Sequence, residues 1–556
     1  MEKDLKKDIN SMYREKVTDF KSGSGIELKY VYTPEDVKHI DFKEEIGLPG
    51  EYPFTRGHHP LMYRGKLWNM REISGLSTAK PFNERLKFLI EEGQGAIDWE
   101  VDGPTSYMIE PDQPVAIGQL GVCGVALHRL RDVEELCKGL PLGELSISIA
   151  QPLPAVAQSL ILVAKKRGVD TRNLRGVGGA IFPYTPPILP SYKEVLCING
   201  GLSTLGRWGF DFYEYVLRNH PKWNIWYTSS YDFREAGGNA IHEIAYTIAV
   251  RDEVLRQLKE RGIDPSIAAA ALSPVLAVDR DFFEEIAKMR AARRLWARSM
   301  KERWGCTDPK ALTMRFHVDI SGYNYTRRQP LTNIARGTLG TLAAVIGGAM
   351  GIQNPSFDEA WCLPTEEAVR VAVRSQQVVR YESGAPCVAD PLGGSYFIES
   401  LTSRLEEEAM EMVNHIEDMG GWIEVVESGW ARTELEKGLL EMQGDIESGE
   451  RVVVGANAFR IPEDEDFKPR IYSPDHTNEI EPYLKEYKEW KEKRDNRGVK
   501  EALEELRRKA DKKGESLVPP VFAALEAEAS FAEIAGVLRM ADGLSYDWAG
   551  ELEYPF

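Results

Sequence analysis

Ala271-Leu-Ser-Pro-Val-Leu-Ala-Val278 is apolar at nearly every position, and a helical run, Phe282–Trp304, follows three residues later. A strand covered on both faces reads as a continuous apolar run, whereas a half-solvated strand alternates. The pair therefore predicts one β–α unit of a buried parallel sheet. The same alternation extends in both directions. Strand-like runs precede it at Ala96–Val101, Leu145–Ala150, Arg175–Ile181 and Asn224–Ser229, and follow it at Leu312–Ile320, Ala349–Gln353 and Pro386–Asp390. Helical periodicity is clearest at Ala155–Arg167, Asn239–Arg261 and Thr365–Arg380. Eight such units predict an α/β fold, a closed (β/α)₈ TIM barrel. An open doubly wound sheet is the alternative, and the absence of Gly-x-Gly-x-x-Gly after the first strand weighs against it.

Around the barrel, residues 1–50 read as an irregular N-terminal arm suited to partner contacts, 51–400 as the barrel and 401–556 as a helical C-terminal extension. Pro462, Pro469 and Pro474 mark a break before the highly charged helical stretch Glu481–Lys513, which reads as a solvated face. The chain has 556 residues and a net charge of −18, which argues against nucleic acid or an anionic membrane as its partner. Its six cysteines form no Cys-x-x-Cys pair, which points to a reducing cytoplasm and neither a disulfide nor a zinc framework. Met1–Lys21 is too charged for a signal peptide, and no apolar run is long enough to span a bilayer. His242-Glu243 lacks the second histidine of a zinc-protease helix. No metal site is expected.

In a barrel, chemistry belongs at the carboxyl ends of the strands. The strand-end residues of this sequence are Glu100, Gln151, Gly179, Tyr231, Asp232, His317, Asp319, Gln353 and Asp390. They form no hydrolytic elbow, carboxylate pair or metal cluster. Small residues crowd the same loops at Gly178, Gly179, Ala180, Ser229, Ser230 and Ser321. They suit either a long thin ligand along the axis or simply tight loop packing.

Tyr52-Pro-Phe-Thr-Arg-Gly57, Met62-Tyr-Arg-Gly65, Trp68 and Ser77-Thr-Ala79 resemble the opening of the methylmalonyl-coenzyme A mutase family. Gly118–Ala126, Glu235-Ala-Gly237, Lys288–Arg293, Asp358-Glu-Ala360 and Asp390–Tyr396 follow in the family's order, so the likeness covers roughly residues 45–460. The resemblance implies a (β/α)₈ barrel threaded by an acyl-coenzyme A and capped by adenosylcobalamin, whose adenosyl radical starts a carbon-skeleton rearrangement. The family's Asp-x-His-x-x-Gly cobalt-binding motif is absent here. The chain thus resembles the split members, in which a small cobalamin-binding subunit ligates the cobalt, with two large and two small subunits expected in a heterotetramer.

Carried over by position, the resemblance implies coenzyme A contacts at His59, Leu61, Met62 and Lys66, with Lys66 standing where an arginine is usual. It implies acyl-side contacts at Asn69, Arg71 and Gly179, and contacts to the corrin or adenosyl group at Val101, Cys123, Glu235, Asp319, Gly322 and Glu359. The catalytic positions are Ile73, Glu100, Tyr231 and Asp232. Ile73 replaces the tyrosine of methylmalonyl-coenzyme A mutase and matches the 2-hydroxyisobutyryl-coenzyme A mutases, which place an aspartate where Glu100 stands. Glu100 either accepts a substrate hydroxyl or makes a strand-end salt bridge. Asp232 replaces the histidine that bonds the thioester carbonyl, so it must be protonated, turned away or matched to a different substrate. Ile181–Pro190 carries no arginine to receive a substrate carboxylate. These departures imply a branched or hydroxylated acyl group. The alternatives are methylmalonyl-coenzyme A mutase itself and a non-catalytic barrel.

Overall fold

The computed structural model describes residues 21–149, 154–178, 197–198, 201–547 and 549–556. Its main sheet is parallel throughout. The first strand, β1, runs as Asn69–Arg71 and Ile73–Ser74 with a break at Glu72; β2 is Ala96–Trp99, β3 Ser146–Ile149 and β4 Arg175–Gly178. Then come β5 (Trp223–Ser229), β6 (Leu272–Val278), β7 (His317–Ile320) and β8 (Gly351–Gln353). The first half of β1 pairs with β8 and the second half with β2, so the ring of eight strands closes through a single residue.

Every residue of β2, β6, β7 and β8 is buried, which is the price of covering a parallel sheet on both faces. Pro274 lies inside β6, where a ladder donor is missing. The partner strand accommodates it: β5 is irregular between Trp226, which faces Ser273, and Ser229, which faces Val275.

Two strand expectations are corrected. Pro386–Asp390 is not a strand; Ala385–Cys387 forms a single 3₁₀ turn, and Asp390 lies outside the barrel, bonding Arg290 and Arg56. Its place in the ring is taken by β1, whose polar Asn69, Arg71 and Glu72 carry no apolar run. The start of Leu312–Ile320 is also too early, because Pro309–Leu312 is a helical turn capped by Asp308.

The outer layer is held by charge as well as by apolar contact. The helix Phe282–Glu302 packs against Ala240–Glu260, Thr332–Gly347 and Tyr396–Asp418. Lys288, fully buried, donates to Glu243 (2.7 Å), to the Ala277 carbonyl (2.7 Å) and to Glu285. Arg290 and Arg294 reach Glu399 (2.5 Å) and Glu406 (2.5 Å) on the last of those helices. The charged stretch 481–513 divides into Glu481–Lys493 and Asn496–Ala510, with Asp495 capping the second helix. It is not wholly solvated: Tyr487 donates to buried Glu110 (2.5 Å), anchoring the first of these helices to the loop that follows β2. Among the described residues no helix is long and apolar enough to cross a membrane.

Candidate active site

The barrel separates the site residues into an amino end, an interior and a carboxyl end. His59, Leu61, Met62 and Lys66 precede β1 and so lie toward its amino end. Leu61 is 58 % exposed, while Met62 is buried, its sulfur under Gly57 and its methyl under Gly348. Asn69 and Arg71 are β1 residues. Gly179 lies outside the described residues, as do Gln151 and the Ile181–Pro190 segment.

The interior is built around Arg71. Its Nε lies 2.6 Å from Asp98 on β2, and its Nη2 lies 3.8 Å from Asp319 on β7. β8 separates β1 from β7, so this reach requires both side chains to point into the hollow. Asp98 and Asp319 are 0 % and 5 % exposed. His317, beside them, is held neutral by burial and by Arg71.

Glu100 follows β2 directly, and its backbone is clamped on both sides. Its N–H donates to Ser74 (2.9 Å) and its carbonyl accepts from Val125 (2.8 Å). Gly75 lets the strands come this close: a Cβ there would stand 1.8 Å from the Glu100 carbonyl oxygen. The Glu100 carboxyl is pushed well above the usual range by burial, then by Asp232, Asp98, Asp319 and Glu359. Burial raises Asp232 to about 6, against a hydrogen bond from Ser229. Burial raises Asp319 to about 7, against Arg71. Several carboxyls crowding one hollow thus hold protons near neutrality. Ile73 pairs with Asp98 through the backbone and places its position on the same ring.

At the carboxyl end, the turn Gly322–Asn324 after β7 meets the helix Ser230–Glu235 after β5. Gly322 N–H donates to the Tyr231 hydroxyl (3.2 Å), and Tyr323 N–H donates to Glu235 (3.3 Å). Tyr231 and Glu235 stand one helical turn apart and so face the same side. A Cβ on Gly322 would lie 3.2 Å from the Tyr231 hydroxyl and 3.7 Å from Glu359, so the three converge. Glu359 keeps solvent-accessible surface, yet protein crowds it, and its carboxyl rises to about 7. Glu235 also rises to about 7 by burial, and its Oε1 is buried with no hydrogen-bond partner. Val101 is buried, bridging Val125, and Cys123 is exposed on the glycine-rich turn next to it.

The structure therefore brings Arg71, Glu100, Asp232 and Asp319 together in the hollow, with Tyr231, Glu235, Gly322 and Glu359 at its carboxyl end. His59, Leu61 and Lys66 stand apart from both. Asp98 and Ser148 are interior residues that the sequence reading missed. The signal was a polar residue flanked on both sides by buried apolar ones, in Ile97-Asp98-Trp99 and Ile147-Ser148-Ile149.

A family model described as methylmalonyl-CoA mutase matches residues 21–544. The chain belongs to the methylmalonyl-CoA mutase family. It is therefore an isomerase, of the intramolecular-transferase kind. It is 33% identical over 518 residues to the 2-hydroxyisobutanoyl-CoA mutase large subunit of Aquincola tertiaricarbonis, covering 91% of this chain and 89% of that one. It is 34% identical over 493 residues to the mitochondrial methylmalonyl-CoA mutase of Bos taurus (87% of this chain, 63% of that one). The Homo sapiens methylmalonyl-CoA mutase is 32% identical over 530 residues (93% and 68%). The chain thus spans about two thirds of these two mammalian family members and most of the bacterial large subunit.

Proposed function

We propose that this chain is the large, catalytic subunit of an adenosylcobalamin-dependent acyl-coenzyme A mutase acting on a branched or hydroxylated acyl group. Its partner is a small cobalamin-binding subunit, which ligates the cobalt, in a cytoplasmic heterotetramer of two large and two small subunits. One observation carries the reading: the site residues are ordered along the barrel axis. Lys66 and His59 stand toward the amino end, Arg71 and Glu100 inside, and Glu235, Gly322 and Glu359 at the carboxyl end. A ligand that enters at one end and reacts at the other needs this order. The bacterial large subunit, matched over most of its length, supports the split arrangement.

The carboxyl end fits a nucleoside-bearing cofactor. Glu235 presents an unpartnered buried oxygen and Glu359 an accessible carboxyl, both suited to ribose hydroxyls, and Gly322 leaves room between them. When bound, adenosylcobalamin supplies reversible hydrogen abstraction, which starts and ends a carbon-skeleton rearrangement. The chain's own residues position the acyl group. Asp232, raised to about 6, holds its proton in full only below that pH, and in that form it donates to the thioester carbonyl, the role a histidine plays elsewhere in the family. Glu100 accepts the hydrogen bond of a substrate hydroxyl. Arg71 is engaged by Asp98 and leans on Asp319, so it is not free to receive a substrate carboxylate. Such a carboxylate would instead join Glu100, Asp232 and Asp319, at the cost of burying another anion.

The test is cofactor binding. Alone, the chain should bind adenosylcobalamin weakly, and the small subunit should restore tight binding in a calorimetric titration. Tight stoichiometric binding by the isolated chain would refute the split arrangement.

A further inference from the structure

The turn Gly322–Asn324 carries two backbone donors aimed at the carboxyl-end groups, and it is gripped from the other side by Asp279 and Arg280. Asp279 follows β6. It accepts from the half-buried Tyr323 hydroxyl and from Arg234 (2.9 Å). Arg280 N–H donates to Asp279 (2.6 Å), and the Arg280 guanidinium donates to the Tyr323 carbonyl (3.1 Å) while lying over the Tyr323 ring. The front of the same two residues holds the site, through Gly322 N–H on Tyr231 and Tyr323 N–H on Glu235. One short turn is thus fixed on both faces. Its rear anchor is a charged hydrogen bond inside the protein, a kind stronger than a neutral one.

We infer that Asp279 and Tyr323 are a positioning pair, which holds the Gly322–Asn324 turn so that Glu235 and Tyr231 meet the cofactor in one fixed geometry. The inference rests on the proposed function, which places the cofactor at this end of the barrel. The surrounding charges separate this role from a merely structural one. Arg234 also contacts Glu285 (3.1 Å) and Glu243 (3.8 Å), so it keeps anionic partners when Asp279 is neutralised. Tyr323→Phe removes a single hydroxyl and keeps the packing. Neither change reaches the interior carboxyls Glu100, Asp232 or Asp319.

Two measurements test the pair. In the isolated chain, hydrogen exchange at the Gly322 and Tyr323 amides should quicken at least tenfold in Asp279→Asn and in Tyr323→Phe, while the β6 and β7 amides keep their protection. Wild-type exchange at that turn in both variants would overturn the inference whether or not the proposed function holds. With the small subunit loaded with adenosylcobalamin, each variant should need about tenfold more of it for half-saturation, read by calorimetry, with the acyl-coenzyme A KM changed less than twofold. The double variant should be no worse than either single one, because both act through one turn. Unchanged affinity for the loaded subunit with only a lower melting temperature would make the pair structural. Additive losses would show that the two residues act separately. If the wild-type chain itself fails to bind the loaded subunit, the proposed function falls and takes the cofactor role of the pair with it.

Discussion

At the scale of single residues, the interior of this barrel is a crowd of carboxyls around one engaged arginine, and its chemistry depends on which of them hold protons. Glu100 is the residue whose removal should be felt by substrate alone. With its carboxyl held protonated by burial and the neighbouring carboxyls, Glu100 offers a neutral acceptor, and such a hydrogen bond contributes roughly 0.5–1.5 kcal/mol. Glu100→Ala should therefore cut kcat/KM for a hydroxyacyl substrate by roughly twofold to tenfold, and Glu100→Gln by less, since the amide oxygen still accepts. If Glu100→Ala instead lowers the melting temperature and leaves kcat/KM intact, Glu100 is a strand-end salt bridge. Asp319 offers a pH test. Its folded pKa, about 7, lies above the unfolded aspartate value, so the native state binds the extra proton and the residue destabilises the fold as pH rises through 7. Asparagine mimics the protonated form at every pH. Asp319→Asn should thus gain about 1 kcal/mol over wild type between pH 6 and pH 8, one pKa unit being worth about 1.4 kcal/mol. Comparing the two proteins cancels the opposing titration of His58, His242 and His317, whose buried rings resist protonation. A gap between the two proteins that does not change with pH would mean that Asp319 does not titrate between pH 6 and pH 8. Asp232 was legible in the sequence as an anomaly with three possible explanations. Its pKa of about 6 raises the protonated fraction far above that of an ordinary aspartate, and that shift depends on burial that no local pattern announces.

At the scale of elements, strands with enough apolar neighbours announced themselves even where one interior residue is functional, as Asp98 and Asp319 are, and the strand crowded with polar residues did not. Leu272–Val278 and Ala96–Trp99 read correctly because parallel burial leaves an apolar run. Asn69–Ser74 did not, because Arg71 points into the hollow and the strand breaks at Glu72. Pro386–Asp390 looked like a strand by composition, yet Asp390 is there to bind Arg290 and Arg56. That interaction belongs to a second structural theme, the ionic seams between outer helices, of which Lys288 is the clearest case. It is 0 % exposed, between Glu243 and Glu285. Lys288→Met should cost about 3 kcal/mol, because it leaves two buried carboxylates, Glu243 and Glu285, with Arg234 as their one remaining cation while filling the same space. Chemical denaturation would read this as a lower midpoint with an unchanged slope. A loss below about 1 kcal/mol would show that the seam is dispensable.

At the scale of the whole molecule, the parallel β–α alternation was readable for seven of the eight strands, and the count reached eight because Pro386–Asp390 stood in for the unread β1. The two ends of the barrel were not readable. Nothing local in His59 or Lys66 says that they lie away from Glu359, and only closure of the ring between β1, β2 and β8 separates them. That separation is the basis of the functional account, and the nature of the acyl group is its central claim. The most direct measurement is a competition among acyl-coenzyme A substrates with the reconstituted holoenzyme: this chain, the small subunit and adenosylcobalamin, with products identified by mass spectrometry. A branched or hydroxylated acyl-coenzyme A should be rearranged fastest, with methylmalonyl- and succinyl-coenzyme A slower by at least tenfold, since Arg71 is already engaged. Rearrangement of methylmalonyl- or succinyl-coenzyme A as fast as the best substrate would contradict the account.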